Sequence, residues 1–388
     1  MVKIPMSSPD INEEDISAVL EVIRTPILSL GPKVVAFENA LATYVGAKHA
    51  IAVNSGTAGL HLTAIAAGLK PGDRVLTTPF SFVASTNALL FENITPIYVD
   101  VNPQTGNIDV AQLRQAAMDL RNGKTDKWLP RKNSGNGKLK AILPVDVFGQ
   151  PADYDAIGEI AREYDLEVIE DSCEALGAEY RSKKAGLFGK FGVFAFYPNK
   201  QITTGEGGVV ITNDEKAATL MRALRNQGRA PGDTWLSHTY MGYNYRLDEL
   251  SAALGISQLS RVDQLISQRE QVANWYIKHL INTPGIELPV IVPETTRMSW
   301  FVFVIRLDSK INRAGLVARL EKHGVPVRPY FLPIHLQPYM VERFGYKDGD
   351  YPITEDLGNR GIALPFSGIM TEGQVEYVCH VLKQELPG

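Results

Sequence analysis

Cysteine is scarce in this sequence, and the two cysteines, Cys173 and Cys379, lie far apart along the chain. This usage excludes a small disulfide-stapled protein and the paired spacing of a zinc site, so we expect no metal centre. A reducing, cytoplasmic setting fits two isolated cysteines. Long hydrophobic runs are also missing, because no stretch approaches the roughly 20 apolar residues of a membrane span. We therefore expect no membrane partner.

A strong charge of either sign is absent as well, since the formal net charge is −4 for 388 residues. That balance gives no electrostatic reason to expect nucleic acid or an anionic membrane as a partner. The N-terminal sequence MVKIPMSSPDINEED turns acidic at once, so we expect neither a signal peptide nor a transit peptide. The 33 glycines and 23 prolines follow no period, which excludes a collagen-like repeat.

The chain does contain an alternation of short apolar strands and amphipathic helices, which predicts βαβ units and a mostly parallel sheet. We assign residues 1–250 to a large three-layer α/β domain with a mixed, mostly parallel sheet. Residues 251–388 are assigned to a connecting helix and a smaller C-terminal α/β domain. The helical pattern that connects them covers residues 246–281. Strands of the large domain are predicted at 49–53, 74–77, 96–101, 141–147, 167–170, 191–196 and 208–212.

One segment departs from this alternation. Residues 121–140 are basic and rich in glycine and asparagine. We interpret them as a solvated excursion on the surface. The alternative is a basic flap over a substrate that carries a diphosphate.

The strongest chemical signal lies in residues 167–213. An apolar strand there ends in Glu170 and Asp171, and ligands bind where the strands of an open α/β sheet end. A second apolar strand ends just before Lys200 and is followed by a glycine-rich loop. A partly desolvated lysine that forms a Schiff base, together with an acid for a pyridinium nitrogen, is what a pyridoxal enzyme needs. Taken alone, Asp171 could be a helix N-cap and Lys200 a surface charge.

A phosphate site is predicted at Ser55-Gly56-Thr57-Ala58, which follow a strand and begin a helix. Backbone N–H groups at a helix N-terminus bind phosphate, and small residues let its oxygens approach closely. An ordinary helix N-cap is the alternative. The segment matches neither a P-loop nor the GxGxxG spacing of a dinucleotide site.

The motifs VNSGTAGLHL, EDSCEALGAEY, FYPNKQITTGEGG and GYNYRLDEL, in this order, resemble those of the DegT/StrS family of pyridoxal-phosphate-dependent nucleotide-sugar aminotransferases. The resemblance covers nearly the whole chain. It implies an aspartate-aminotransferase-like fold (fold type I) and pyridoxal 5′-phosphate as cofactor. By the same resemblance, Lys200 would carry the cofactor as a Schiff base and move the reacting proton, and Asp171 would pair with the pyridine nitrogen.

The resemblance also implies contacts around the rest of the cofactor. Thr57 and Ala58 would hold the phosphate, and Phe82 would stack on the pyridine ring. Asn244 would reach the phosphate of a neighbouring subunit, which implies a homodimer with shared active sites.

Two positions depart from the commonest pattern of the family. Glu174 stands where many members carry Gln or His against the ring oxygen of the cofactor, and we expect this carboxyl to be protonated or turned away. Ala195 stands where many members have a phosphate-binding Ser, so that contact is missing or supplied elsewhere, for example by Ser55. Members that act as dehydratases have His in place of the lysine, and Lys200 argues against that chemistry.

The predicted reaction transfers an amino group from glutamate to a keto-sugar carried on a nucleotide diphosphate. Candidate substrate residues are Glu206, Arg229, His238, Tyr330 and His335. Glu206 could instead be a simple loop carboxylate, and His335 could have a structural role.

Three alternative functions remain open at this point. The acceptor could be a cyclitol or another cyclic ketone. A carbon–sulfur lyase would need a mobile nucleophilic cysteine, whereas Cys173 follows a strand end and is interpreted as structural. A non-catalytic regulatory member of the family would have no use for the pair of Lys200 and Asp171.

Overall fold

Helices and strands alternate along the chain much as the sequence predicts. This computed structural model describes residues 4–386. Its strands are β1 (His49–Val53), β2 (Arg74–Thr77), β3 (Thr95–Tyr98), β4 (Leu139–Leu143), β5 (Glu167–Asp171), β6 (Glu179–Tyr180), β7 (Lys183–Lys184), β8 (Phe191–Ala195), β9 (Gly208–Thr212), β10 (Ile286–Glu287), β11 (Thr295–Arg297), β12 (Phe303–Leu307), β13 (Arg328–Pro329) and β14 (Gly361–Leu364). Its helices are α1 (Glu13–Ile23), α2 (Pro32–Val45), α3 (Gly56–Ala66), α4 (Ala84–Leu90), α5 (Val110–Arg121), α6 (Tyr154–Tyr164), α7 (Glu215–Arg225), α8 (Glu249–Ser260), α9 (Val262–Leu280), α10 (Arg313–Lys322), α11 (Pro338–Phe344), α12 (Pro352–Arg360) and α13 (Glu372–Glu385).

The central sheet has the strand order β1-β9-β8-β5-β4-β2-β3. Neighbouring strands are parallel, except that β9 runs antiparallel to both β1 and β8. The predicted α/β fold with a mixed, mostly parallel sheet is therefore confirmed. Because β1, β5 and β8 point the same way, their carboxyl ends meet at one edge of the sheet. Ligands bind at this edge in open α/β sheets.

The central sheet is covered on both faces, because successive side chains of a strand point to opposite sides. Ile51 and Val193 belong to the hydrophobic cluster that includes residues of α3 and α7. Ala52 and Phe194, their neighbours in sequence, belong to the cluster that includes residues of α2 and α8. Helices on both faces make three layers, as predicted.

The connection to the C-terminal region differs from the prediction. The pattern over residues 246–281 predicts one long helix, but the structure has two helices, α8 and α9, separated at Arg261. The Arg261 guanidinium donates to the carboxylates of Asp10 and of Asp15, the latter fully buried at the start of α1. The break allows α8 to pack on α1 and α2 while α9 packs on α13.

A second sheet lies in the C-terminal region and has the antiparallel order β10-β12-β14-β13. It shares a hydrophobic cluster with α10, α13 and the second half of α9, from Val272 onward. The first half of α9, up to Ile266, packs with the residues of α2 instead. The clusters therefore change within α9, and the predicted boundary at residue 250 stays a prediction. In residues 4–386, no helix combines the length and apolar character that a membrane span requires.

The basic segment 121–140 is anchored at several points. The Trp128 side chain is 5% exposed, in the cluster that includes residues of α5. Arg131 donates through both terminal nitrogens to the Asp350 carboxylate, at 2.6 and 2.8 Å. These contacts hold the segment against the region around α11, which favours the surface excursion over a flap.

Candidate active site

Asp171 is fixed at the carboxyl end of β5. Its side chain is 4% exposed, and its backbone N–H donates to the Pro144 carbonyl oxygen. One carboxylate oxygen accepts from the Ser85 hydroxyl at 2.6 Å, and the other accepts from the Cys173 backbone N–H at 3.2 Å. A buried carboxylate with hydrogen bonds of this kind keeps one orientation, which suits it to hold a single ligand atom.

Lys200 follows β8 in a tight turn, in which its backbone N–H donates to the Tyr197 carbonyl oxygen at 2.9 Å. Its side chain is only 12% exposed. The amine lies 3.7 Å from a Glu174 carboxylate oxygen and 3.7 Å from the centre of the Phe301 ring. The amine is therefore drawn away from bulk water and enclosed by one acidic and one aromatic group.

Glu174 links the two strand ends, because it follows β5 and faces the lysine that follows β8. One carboxylate oxygen accepts from the Phe148 backbone N–H at 2.9 Å. Burial raises the pKa of Glu174 to about 6, and the nearby Lys200 ammonium opposes that rise. Glu174 therefore faces the lysine amine, and its raised pKa agrees with the expected tendency to hold a proton. Its orientation relative to the ring oxygen of the cofactor stays a prediction.

Cys173 is half-buried and lies close to these charged groups. Burial raises its pKa well above the usual range, and the Asp171 carboxylate raises it further. A thiol with a raised pKa is a poor nucleophile, which agrees with the structural role expected for Cys173 and disfavours the carbon–sulfur lyase.

The predicted phosphate turn lies beside these residues. A Cβ atom built on Gly56 would be 2.8 Å from the Ala195 Cβ and 3.0 Å from the Cys173 sulfur. Glycine thus allows the start of α3 to approach β8 and the loop after β5. The phosphate turn therefore lies against the ends of β5 and β8.

Within the turn, Ser55 is the N-cap of α3, and its hydroxyl accepts from the Ala58 backbone N–H at 3.1 Å. The N–H groups of Gly56 and Thr57 have no acceptor within residues 4–386. These two groups are therefore available to a phosphate. The predicted phosphate contact through Ala58 stays a prediction, and its N–H donates to Ser55 in this structure. Ser55 itself acts as the N-cap that the alternative interpretation described.

The sequence profile of the DegT/DnrJ/EryC1/StrS aminotransferase family matches residues 9–383. This chain belongs to the DegT/DnrJ/EryC1/StrS aminotransferase family. It is similar to GDP-perosamine synthase of Caulobacter vibrioides, with 37% identity over 387 residues, 99% of this chain and 98% of the relative. It is also similar to spore coat polysaccharide biosynthesis protein SpsC of Bacillus subtilis, with 33% identity over 398 residues, 99% of this chain and 97% of the relative.

Solved structures of family members agree with the fold. Helicobacter pylori PseC, an aminotransferase involved in the biosynthesis of pseudoaminic acid, superposes with a TM-score of 0.88 at 29% identity, covering 99% of both chains. DesV of S. venezuelae also gives a TM-score of 0.88 at 29% identity, covering 99% of this chain and 98% of DesV. The aspartate-aminotransferase-like architecture is thereby confirmed, and this family member is a pyridoxal-phosphate-dependent aminotransferase.

The residues present fit pyridoxal 5′-phosphate in four respects. Asp171 offers a fixed carboxylate for the ring nitrogen, and Lys200 offers an enclosed amine for the aldehyde carbon. Gly56 and Thr57 offer N–H groups at a helix N-terminus for the phosphate. Phe82 is 63% exposed and lies two residues before α4, the helix whose Ser85 donates to the Asp171 carboxylate, so its ring is free to contact a ligand. The individual roles of these residues stay predictions.

Asn244, predicted to serve a neighbouring subunit, is exposed in this DegT/StrS member. Its carbonyl oxygen accepts from the Asn54 side chain at 3.3 Å, so its backbone lies beside the start of the phosphate turn of its own chain. The prediction that its side chain reaches a partner subunit remains open on this geometry.

Four of the predicted substrate residues lie in different surroundings. Glu206 is exposed in the loop before β9. Arg229 lies over the Trp235 ring at 4.7 Å, and a ring nitrogen of His238 pairs with the Gln227 carbonyl oxygen at 2.8 Å. Tyr330 is half-buried, and burial together with Glu174 raises its pKa to about 12. Among these four residues, Tyr330 lies close enough to Glu174 for that carboxylate to raise its pKa.

The prediction that His335 lines the substrate cleft is wrong. Its side chain is completely buried, and its Nε2 atom lies 2.8 Å from the Glu355 carboxylate. The rings of Tyr346 and Tyr351 lie against it, with centroids 6.2 and 4.8 Å away. Pro333 starts the short turn that carries the histidine inward.

No metal centre was predicted, and the structure neither requires nor tests one. His279, Glu372 and Glu376 place possible ligand atoms within 4.8 Å of one another. The amine of Lys278 lies 2.9 Å from the Glu372 carboxylate, so this group also forms an ordinary ion pair.

Sequence reasoning missed several residues that shape the site. Ser85 lies in a helix with no charged residue and gave no signal. Arg269 did give a signal in the sequence, because it falls on the apolar stripe of α9 together with Leu265 and Val272. A charged residue in register with buried positions indicates a buried charge that needs partners.

Proposed function

We propose that this family member transfers an amino group from an amino acid, glutamate, to a keto-sugar carried on a nucleoside diphosphate. One observation carries the proposal: an amine that is 12% exposed, that of Lys200, lies at the sheet edge where Asp171 ends β5. The similarity to GDP-perosamine synthases of Caulobacter vibrioides, Escherichia coli and Vibrio cholerae, at 37%, 32% and 30% identity, supports an amino sugar on a nucleotide.

The residues of the chain would divide the work as follows. Lys200 would take the proton from the Cα atom of the donor and return it in the second half-reaction. Asp171 would keep a proton on the ring nitrogen of the cofactor, and Glu174 would share a proton with the lysine amine. Gly56 and Thr57 would bind the phosphate through their N–H groups. When bound, pyridoxal 5′-phosphate stores the electrons of the broken bond and carries the amino group from donor to acceptor.

We assign the acceptor to an open cleft near Glu174. The cleft has Phe148, Tyr330 and Trp300 among its lining residues and reaches Arg306. Phe148 and Tyr330 connect this cleft to Glu174 through the backbone hydrogen bond and the charge interaction described above. A mostly apolar cleft with a few polar groups is typical of a site for a small organic ligand.

The acceptor can be identified directly. Enzyme loaded with pyridoxamine 5′-phosphate is mixed with a panel of nucleotide-linked keto-sugars, free keto-sugars and cyclic ketones. We expect the absorbance of lysine-bound pyridoxal to return with a nucleotide-linked keto-sugar. Its return only with cyclic ketones would support the cyclic-ketone alternative, and no return with any acceptor would contradict an aminotransferase reaction on ketones. Lys200→Ala enzyme is the control, because it lacks the amine that produces the signal.

We also propose a homodimer with shared active sites. An apolar stripe on α1, formed by Ile16, Leu20 and Ile23, is 43–55% exposed. Leu236 and Met241, in the loop that precedes Asn244, are 83% and 85% exposed. Contiguous exposed apolar surface marks an interaction site, and a second copy of the chain is the commonest partner.

Mixing two inactive variants tests the shared site. If Asn244 serves the partner subunit, a mixture of Lys200→Ala and Asn244→Ala chains regains one intact site in each hybrid dimer. About a quarter of wild-type activity is then expected after random exchange of subunits. If no activity returns while sedimentation shows hybrid dimers, Asn244 acts within its own chain.

A further inference from the structure

Arg269 is a buried guanidinium in the middle of α9. Its side chain is 4% exposed, and burial lowers its pKa to about 10, so it remains charged at neutral pH. Within residues 4–386, no Asp or Glu lies close enough to form an ion pair with it. Burying a charge without an opposite charge is unfavourable unless hydrogen bonds replace water. The Arg269 guanidinium therefore needs hydrogen-bond acceptors in place of water.

Four backbone carbonyl groups surround the guanidinium. One terminal nitrogen donates to the carbonyl oxygens of Asn199 and Lys200, at 3.0 and 2.6 Å. The other donates to those of Trp300 and Phe301, at 3.2 and 3.3 Å. A planar fork of donors can bridge two separate chain segments in this way, whereas a lysine ammonium, as a compact point donor, cannot span them.

Both segments bear directly on the lysine amine. The first contains Lys200 itself, and the second contains Phe301, whose ring lies 3.7 Å from the Lys200 amine. Trp300, the other residue of the second segment, has a φ of +53°. A bulky residue adopts this left-handed conformation only when its surroundings enforce it. One guanidinium thus holds the main chain of the lysine and the aromatic ring that its amine contacts.

We propose that Arg269 is a positioning residue for Lys200. It fixes the main chain on which the lysine side chain starts and the Phe301 ring against which that side chain ends. The amine is then confined to one direction, toward the edge where Asp171 lies. The proposal rests on the proposed function, because it assumes that Lys200 is the reacting amine.

A second set of hydrogen bonds joins the same two segments without Arg269. The Gln201 side chain donates to the Glu174 carbonyl oxygen at 2.6 Å and to the Ser299 hydroxyl at 2.9 Å. These bonds already join the turn after β8 to the segment before β12, on the neighbouring residues. Loss of Arg269 is therefore expected to free the orientation of Lys200 without separating the two segments.

The test replaces Arg269 by Met, which keeps the length of the side chain, and by Lys, which keeps the charge but not the fork. Pyridoxal 5′-phosphate is added to each apo-enzyme, and the absorbance and visible circular dichroism of the lysine-bound cofactor are followed. Arg269→Met should form this species at least about tenfold more slowly, with a weaker dichroic signal. It should also lower kcat by at least about tenfold while KM for the donor stays nearly constant. Arg269→Lys should fall between Met and wild type.

Arg313→Met is the matched control. Arg313 on α10 also donates to backbone carbonyl oxygens, those of Gly358 and Gly361, and burial likewise lowers its pKa. Its loss should lower thermal stability and leave the rate, the dichroic signal and kcat unchanged.

The outcomes distinguish a positioning role of Arg269 from a purely structural one. If Arg269→Met matches Arg313→Met in rate, dichroic signal and kcat, Arg269 is only structural and the proposal is overturned. If Arg269→Met does not fold, the same readouts on Arg269→Lys decide. If wild-type enzyme itself forms no lysine-bound species, or Lys200→Ala still forms it, the proposed function fails and the proposal fails with it.

Discussion

Two buried pairs of a basic and an acidic side chain in this chain are built differently. In the first, the Lys200 amine lies 3.7 Å from the Glu174 carboxylate and keeps 12% of its side chain exposed. In the second, the His335 ring lies 2.8 Å from the Glu355 carboxylate and is not exposed at all. Both histidine and lysine were predicted as functional residues from the sequence, and the contrast shows what separates the two.

The difference lies in how the carboxylates are satisfied. Glu355 accepts from the backbone N–H groups of Gly349 and Tyr351, at 2.8 and 3.1 Å. Although burial opposes it, these bonds and His335 lower the pKa of Glu355. Glu174 accepts one backbone bond, and burial raises its pKa to about 6. A buried carboxylate that accepts several hydrogen bonds stabilises the fold, whereas a buried carboxylate with fewer donors at a sheet edge is suited to exchange protons with a ligand.

The largest expected effect separates the two pairs outright. Lys200→Ala should reduce turnover by at least about 10³-fold and remove the absorbance of lysine-bound cofactor, because it removes the amine that lies beside Glu174. His335→Ala should instead cost about 1–3 kcal/mol of unfolding free energy, since Glu355 loses a buried partner, and leave kcat per folded molecule nearly unchanged. Initial rates and urea unfolding of both variants check this. A stable His335→Ala enzyme with greatly reduced kcat would contradict the assignment of His335 to the structural pair.

The next effect concerns two adjacent carboxyls at the end of β5. Asp171→Asn should lower kcat by about 10²-fold or more, because an amide cannot hold a proton on the ring nitrogen of the cofactor. Glu170→Gln is the matched control. Burial first, and then Asp146, raise the pKa of Glu170 to about 8, so that carboxyl is already neutral at pH 7. Steady-state rates should show a large loss for Asp171→Asn and little for Glu170→Gln, and the reverse order would exchange their roles.

The two acidic partners should also respond to pH with opposite signs. The pKa of Glu174 is raised in the folded state, from 4.5 to about 6, so its contribution to stability is full below 4.5 and is lost as pH rises through about 6. The pKa of Glu355 is lowered from 4.5, so its contribution is present above that value and is lost at lower pH. The effect of Glu174 should be on the order of 2 kcal/mol.

Unfolding of Glu174→Gln and Glu355→Gln enzymes between pH 4 and 7 measures both signs. The difference in unfolding free energy between wild type and Glu174→Gln should fall as pH rises, and the difference for Glu355→Gln should grow. The same slope for both variants would show that the two carboxylates do not differ in the way described.

The smallest effect lies in the phosphate turn. Ser55→Ala removes the N-cap of α3 and should cost about 1 kcal/mol of unfolding free energy, because the Ala58 N–H loses its acceptor. Thr57→Ala keeps that cap and the backbone N–H but removes the Thr57 hydroxyl. Because we predict that this hydroxyl also contacts the phosphate, the variant should weaken retention of the cofactor instead. Thermal unfolding and dialysis of the cofactor distinguish the two variants. A larger loss of cofactor from Ser55→Ala than from Thr57→Ala would contradict this ranking of the two side chains.

Much of the architecture that positions the candidate site follows from local patterns. Strands such as β1 and β9 have the predicted limits because short apolar runs between glycine and polar residues favour buried strands. The position of Asp171 at the end of β5 and of Lys200 after β8 follows from the same runs. Chemistry that depends on a strand end is visible in one sequence, since the end and the polar residue are neighbours along the chain.

The rest depends on contacts between distant residues, which one sequence does not record. The burial of His335 arises from tyrosines that follow it by several residues and fold back over it. The break at Arg261 is associated with carboxylates at the other end of the chain, in Asp10 and Asp15. The sequence also does not decide between a cap and a ligand contact for Ser55, whose hydroxyl accepts from the Ala58 N–H in the helix that it caps.

The most direct measurement of the central claim is chemical trapping of the reacting amine. Borohydride reduction of the enzyme with pyridoxal 5′-phosphate makes the bond to the lysine permanent, and mass spectrometry of peptides then locates it. The account predicts one adduct per chain, on the peptide that contains Lys200. An adduct on another lysine, such as the surface residue Lys190, or no adduct at all would contradict it.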